Sequence, residues 1–253
     1  MSEDNMRFLL ATALLICSPC YAGSHALYNF SNAEMTTATQ HKEIVPIASV
    51  TKLFTATLML DEQLDLSEKV KVRGKTSGRF PVGSMVSRIE LMKAMLIASD
   101  NRAADTLAHS YPGGYEKFIK DVNTMAGARG LRDTHIADAS GISALNVSTA
   151  DDLVNFVYSL RHYPLIISLS SSTNDSIRIE TKKKNINLPI RNTNPDLVKY
   201  NNILISKPGF TSKAGRCLVM LVTYQDEIYG LAILGEKTPK TRSKVVQDLM
   251  SSL

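Results

Sequence analysis

Ser49 and Lys52 are the two residues whose surroundings give them the most chemistry. They interrupt the run Pro46-Ile47-Ala48-Ser49-Val50-Thr51-Lys52-Leu53-Phe54, which stays apolar through Ala56, Leu58 and Met59. The pattern predicts a buried helix from Pro46 to about Leu64, with the proline just before the first turn, where a missing N–H costs little. Residues three apart share a helix face, with Cβ atoms about 5–6 Å apart. A lysine withdrawn from water loses its preference for the ammonium form and can accept a proton. A hydroxyl within its reach becomes a nucleophile. The partial positive charge at a helix N-terminus adds to this. Taken alone, Ser-x-x-Lys is also a common solvated surface pattern, so the rest of the chain has to supply the context.

Two further polar clusters follow in chain order. Ser99-Asp100-Asn101 falls in the break between two predicted helices, where side chains can point into a cleft. Lys207-Pro208-Gly209-Phe210-Thr211 adjoins a predicted strand at 203–206. Ser-x-x-Lys with Ser-Asp-Asn and Lys-Thr-Gly is the ordered set found in penicillin-binding proteins and serine β-lactamases. Each also has an ordinary use. Ser99 and Asn101 suit a helix cap, and Lys207 suits a solvated strand end.

With all three segments in order, the chain resembles the low-molecular-mass penicillin-binding proteins, the D-alanyl-D-alanine carboxypeptidases and D,D-endopeptidases. The endopeptidase branch is the more similar, through Asn101-Arg102-Ala103-Ala104, Tyr111-Pro112-Gly113-Gly114-Tyr115, Asn146-Val147-Ser148-Thr149-Ala150, Arg191-Asn192-Thr193-Asn194 and Ala214-Gly215-Arg216-Cys217-Leu218-Val219-Met220. The resemblance runs from about Ala26 to Glu236. It implies an α/β (α+β) fold like that of the penicillin-binding proteins and serine β-lactamases: an antiparallel sheet of N- and C-terminal strands flanked by helices, with an all-helical middle.

The resemblance also implies roles. Ser49 forms an acyl-enzyme with a D-alanyl carbonyl and Lys52 takes its proton. Ser99 relays a proton to the leaving amine and Asn101 holds the substrate amide. Lys207 keeps the site positive. Pro208, Gly209, Phe210 and Thr211 border the substrate, with the backbone N–H groups of Ser49 and Phe210 as oxyanion donors. Expected partners are the cross-linked stem peptides of peptidoglycan, with β-lactams as covalent inhibitors. No cofactor or metal is expected, and the histidines His109, His135 and His162 show no ligand spacing. Asp138 and Asp151 read as loop and helix-start residues.

One departure stands out. The family usually has threonine where this chain has Pro208, which offers neither a hydroxyl nor an N–H. A lost hydrogen bond to a charged group costs about 1.5–3 kcal/mol. This leaves open a non-catalytic or weakly active wall-binding relative. A class A β-lactamase is disfavoured, because the Ala144-Leu145-Asn146 stretch lacks the deacylating glutamate.

The elements that must position these residues can be read in outline. Residues 26–38 suggest a hairpin turning at Ser31-Asn32, and residues 66–86, with Gly74, Gly78, Pro81 and Gly83, an extended loop with short strands. Ser87-Arg88-Ile89-Glu90 has the form of a capping box opening a helix to about Ala98. Further helices are expected over 102–110, 115–126 and 149–160, the last capped by Ser148, and over 241–250. Strands are expected over 203–206, 216–224 and 227–235, with a hairpin at Gln225-Asp226.

The length of 253 residues, 44% hydrophobic and 21% charged, suits one compact unit, with neither repeats nor a linker. Met6-Arg7, an apolar run from Phe8 to Cys17 and the small residue Ala22 describe a secretory signal peptide over residues 1–22, leaving 23–253 as a single catalytic domain without an added C-terminal β-domain. Cleavage would remove Cys17 and Cys20, so Cys217 alone would reach an oxidising, periplasmic compartment, and no membrane span would remain. Residues 1–22 carry a net −1 (Glu3, Asp4, Arg7), so the remainder is +6 against +5 for the whole chain. A basic exported protein suits an anionic wall polymer. Nucleic acid is disfavoured, because basic and aromatic residues do not interleave.

Overall fold

The computed structural model describes residues 23–180 and 185–253. The expected signal segment and Lys182-Lys183-Lys184 lie outside these residues. In chain order the elements are the strands β1 (Ser24–Asn29), β2 (Glu34–Thr39) and β3 (Val45–Pro46), then α1 (Thr51–Asp61), β4 (Lys69–Lys71) and β5 (Met85–Ser87). The helices α2 (Arg88–Ile97), α3 (Asn101–His109) and α4 (Gly114–Ala128) follow. Next come β6 (Val147–Ser148), α5 (Ala150–Ser159), α6 (Pro164–Ser171), β7 (Asn174–Glu180) and β8 (Asn185–Arg191). The chain closes with β9 (Ile203–Thr211), β10 (Gly215–Tyr224), β11 (Glu227–Glu236) and α7 (Pro239–Met250).

The main sheet has the order β2-β1-β11-β10-β9 and is antiparallel throughout, so the first and last parts of the chain do meet in one sheet. Its central strands are near-continuous apolar runs because both faces are covered. On one face Ala26, Val219, Leu221 and Ala232 join the large core formed with α1 to α6. On the other, Leu218, Met220, Leu231 and Ile233 pack under Val246 and Leu249 of α7. Gln225 and Asp226 both have positive φ, as a two-residue hairpin requires.

The middle of the chain is not all helical. β4, β5, β7 and β8 form a second, four-stranded sheet. The β7–β8 hairpin was missed because its polar residues and Pro189 dilute the strand signal; Ile177, Ile179 and Ile190 are its buried face. Two caps also differ from expectation. Ser87 makes no side-chain cap, and Glu90 instead accepts from the backbone N–H of Arg178 on β7. Thr149, not Ser148, caps α5 by accepting from Asp152 N–H. Among the described residues no helix is long and apolar enough to cross a membrane.

Candidate active site

The α-helix of the first segment starts later than its pattern suggests. Pro46 ends β3, and Ala48–Val50 form a 3-10 turn before α1 begins at Thr51. Ser49 therefore sits on that turn, half-buried at the mouth of the helix, while Lys52 lies one turn in and is fully buried. Ala48, at φ 47°, and the Thr51 hydroxyl, donating to Ala48 O at 2.8 Å, fix the turn.

Lys52 Nζ donates to three oxygens: Ser49 Oγ at 2.8 Å, Asn101 Oδ1 at 2.7 Å and Ser140 O at 2.5 Å. Burial lowers its pKa to about 7, against the opposing pull of Asp138, Asp100 and Asp105. At neutral pH a large fraction of this amine can accept a proton. The second segment closes the arrangement. Asp100 caps α3 by accepting from Ala103 N–H at 2.9 Å, which leaves Ser99 and Asn101 on either side of the cap facing the cleft. Ser99 has φ 55°, an unfavourable conformation for a residue with a Cβ. Its hydroxyl accepts from Lys207 Nζ at 3.0 Å, which ties the helical region to β9.

β9 is the sheet edge beside the cleft, a position where proline is tolerated. Gly209 is there for close approach: a Cβ on it would lie 2.7 Å from Ser49 N. Ser49, Ser99, Asn101, Pro208, Gly209 and Phe210 line one cleft of about 310 Å³, together with Thr193, Arg216 and Arg242. Thr211 is not among them. Its hydroxyl oxygen accepts from Ala214 N–H in the turn to β10. Lys207 is not among them either. It is fully buried, without a carboxylate partner among the described residues, and burial, with Lys52 adding to it, pushes its pKa well below the ordinary value.

The loop from Asp138 to Asn146 does more than connect. Asp138 accepts from the backbone N–H groups of Ser140, Gly141 and Ser143 and from Asn146 Nδ2. Burial alone would raise its pKa, but these donors hold it below the usual carboxylate range. The loop is pressed onto the Ser49 turn at Gly141, φ 84°, and Ala139 O accepts from Thr55 on α1. It thereby delivers the Ser140 carbonyl to Lys52. Arg242 was missed as well, although a cation in the first turn of α7, at the positive end of the helix dipole, is a signal. Cys217 is buried, with its pKa pushed up to about 12 by desolvation, and is a core residue. Among the described residues no group of acidic, His or Cys side chains could hold a metal ion.

A serine hydroxyl held by a buried amine, set between a helical region and an antiparallel sheet edge, is the arrangement of an active-site-serine enzyme of the penicillin-binding class. The chain belongs to the D-alanyl-D-alanine carboxypeptidase family, whose model matches residues 19–238, and is a serine-type hydrolase. It is 37% identical over 234 residues to a D-alanyl-D-alanine endopeptidase of Escherichia coli, covering 88% of this chain and 74% of that one. It is 40% identical over 200 residues to one of Pseudomonas aeruginosa, covering 76% and 64%. The fold matches a DD-transpeptidase of Streptomyces at a TM-score of 0.84 and 22% identity, over 90% of this chain and 95% of that one. It also matches an ampicillin-bound penicillin-binding protein of Listeria monocytogenes at 0.80 and 25%, over 90% and 96%.

Proposed function

We propose that this chain hydrolyses D-alanyl cross-links in peptidoglycan as a D,D-endopeptidase, through an acyl-enzyme on Ser49. The observation that carries the reading is the placement of Lys52 Nζ within hydrogen-bond distance of both Ser49 Oγ and Asn101 Oδ1. Neutral Lys52 takes the Ser49 proton as Oγ attacks the carbonyl carbon of the D-alanyl residue. The oxyanion is received by the N–H groups of Ser49 and Phe210. The amide C–N bond then breaks. The leaving nitrogen takes a proton by way of Ser99, and an ester remains on Ser49. Water attacks that ester, frees the D-alanyl carboxylate and returns the proton to Ser49.

The endopeptidase assignment is supported by the names of the relatives from E. coli and P. aeruginosa. β-Lactams acylate the same oxygen, a reading supported by the ampicillin-bound structural relative. The same family reading makes residues 1–22 an export segment and residues 23–253 one catalytic unit at the cell wall. Purified protein incubated with cross-linked muropeptide dimers tests the whole: monomers accumulate, and Ser49→Ala stops them. Dimers that persist through long incubation with the unsubstituted protein would remove the endopeptidase reading in favour of a wall-binding role.

A further inference from the structure

We propose that Lys71, Arg73 and Lys75 form a docking strip for the carboxylates of uncut stem peptides on the peptidoglycan strand being processed. The inference deepens the D,D-peptidase reading above and rests on it for the claim that the docked polymer is also the substrate. From Lys69 to Ile89 the chain has six lysines and arginines and no acidic residue. Val70 and Val72 are buried, so the alternation of an extended chain turns Lys69, Lys71 and Arg73 outward on one face, about 6–7 Å apart. Lys75 and Arg79 follow and are also exposed. Three of the six cations are neutralised within the protein. Lys69 pairs with Glu180, Arg79 with Asp100, and the buried Arg88 with Glu68. Among the described residues the side chains of Lys71, Arg73 and Lys75 have no hydrogen-bond or ion-pair partner. Lysines on a sheet edge also block stray strand pairing, and β4 is the edge of its sheet, which accounts for Lys69 and Lys71. It does not account for Arg73 and Lys75, which lie beyond β4.

The strip is fixed to the helix that carries Asn101. Arg73 N–H donates to the Thr106 hydroxyl oxygen at 3.1 Å, and that hydroxyl donates to Arg73 O at 3.0 Å. Gly74, at φ 100°, lies against Asp105, and the Thr76 hydroxyl donates to the Asp105 carboxylate at 2.6 Å. Arg102 donates to the carbonyls of Thr76 and Phe80, at 3.0 and 2.8 Å. Arg102, Asp105 and Thr106 all belong to α3. The segment then reaches Asp100, between Ser99 and Asn101, which accepts from Arg79 N–H at 2.6 Å. Three cations without counter-charges are therefore held on the element that forms one wall of the cleft, and such a surface fits a polyanion. Peptidoglycan supplies one, because its stem peptides end in free carboxylates and many hang from one strand. A carboxylate docked on the strip keeps a neighbouring cross-link at the cleft by raising its effective concentration. None of the three cations lines the cleft, so docking and bond cleavage are separable.

The test is co-sedimentation of the Ser49→Ala protein, which keeps the strip and cannot cut, with purified insoluble peptidoglycan. Adding Lys71→Gln, Arg73→Gln and Lys75→Gln together weakens binding about 3- to 100-fold, the range for three exposed ion pairs. A control with Lys42→Gln, Lys120→Gln and Lys244→Gln loses the same charge from exposed positions on other parts of the chain, and binds within about twofold of the parent. Salt at about 0.5 M, or peptidoglycan whose carboxylates have been converted to amides, removes the difference between strip variant and parent. Equal binding by the strip variant and the parent overturns the assignment, and so does an equal loss in the control, which would leave net charge alone as the cause. With Ser49 restored, the strip variant is acylated by benzylpenicillin within about twofold of the unsubstituted rate. A rate that fell in step with binding would also overturn the assignment, since the strip would then act through the cleft. A protein that docks on peptidoglycan through the strip yet forms no penicillin adduct would refute the peptidase reading and leave the docking surface standing.

Discussion

The carbonyl oxygen of Ser140 lies 2.5 Å from Lys52 Nζ, nearer than the hydroxyl that Lys52 is to deprotonate. A carbonyl cannot give up a proton, so this contact only aims the amine and stabilises whichever hydrogens it carries. The aim depends on Asp138, which gathers three backbone N–H groups of the same loop. Asp138→Ala leaves these donors without an acceptor, at about 1–3 kcal/mol for each that stays buried and unpaired. The expected loss is about 3 kcal/mol in all. It also removes the largest carboxylate contribution that raises the Lys52 pKa. Chemical denaturation would report the first effect. The second appears as an acid limb of acylation displaced to lower pH, and a limb that stays in place would separate the loop from the base.

The pH profile follows from Lys52. Its folded pKa of about 7 lies well below the 10.5 of a free lysine, and burial is the first cause. The base must be unprotonated to act, so acylation by penicillin is expected to rise with pH through about 7 and then level. The linkage has the same sign. The unfolded chain binds the proton more readily between about 7 and 10.5, so this group makes folding more favourable as pH rises through that window. Lys52→Arg keeps the positive charge but cannot deprotonate, and acylation is expected to vanish at every pH tested. Stopped-flow rates for that variant that still rose with pH would mean another base.

Gly209→Ala probes the oxyanion side. The new Cβ would meet Ser49 N at 2.7 Å and Ala48 Cβ at 3.0 Å, so β9 or the serine turn has to move. Moving either displaces a donor aimed at the developing negative charge, an effect worth about 10²- to 10³-fold in rate. Penicillin acylation, followed by stopped-flow, is expected to fall by that range. A rate within threefold of the parent would show that the strand is not where the oxyanion is held.

Much of this arrangement was legible in the sequence, and the failures have physical causes. The three polar segments were found because each breaks an apolar pattern, and the structure brings Ser49, Lys52, Ser99, Asn101 and Lys207 together. Thr211 stands outside the cleft lining, since motif spacing does not say where a strand ends and a turn claims a hydroxyl. Asp138 and Ser140 were passed over because a loop that acts through backbone groups leaves no mark in residue type. The β7–β8 hairpin was invisible because alternation carries few apolar residues when one face meets water. Ser87 and Glu90 satisfied a capping pattern, yet the second sheet took Glu90 for Arg178, a long-range competitor that no local motif contains.

Ser99 separates function from stability at one residue. Its φ of 55° is costly with a Cβ present, about 1 kcal/mol or more, and glycine adopts it freely. Ser99→Gly relieves that strain and offsets much of it by the greater freedom of glycine in the unfolded chain. It also deletes the hydroxyl that accepts from Lys207 at 3.0 Å and that the proposed mechanism puts on the route of the proton to the leaving amine. Ser99→Ala deletes the hydroxyl but keeps the strain. Both variants are expected to lose about 10²- to 10⁴-fold in muropeptide cleavage, the range for a misplaced proton transfer. Only the glycine variant is expected to melt at or above the parent temperature. If alanine melted higher than glycine, the positive φ would not be a stored cost, and the backbone would be held there by Asp100 and Ala94 alone, through the hydrogen bond from Asp100 N–H to Ala94 O at 3.0 Å.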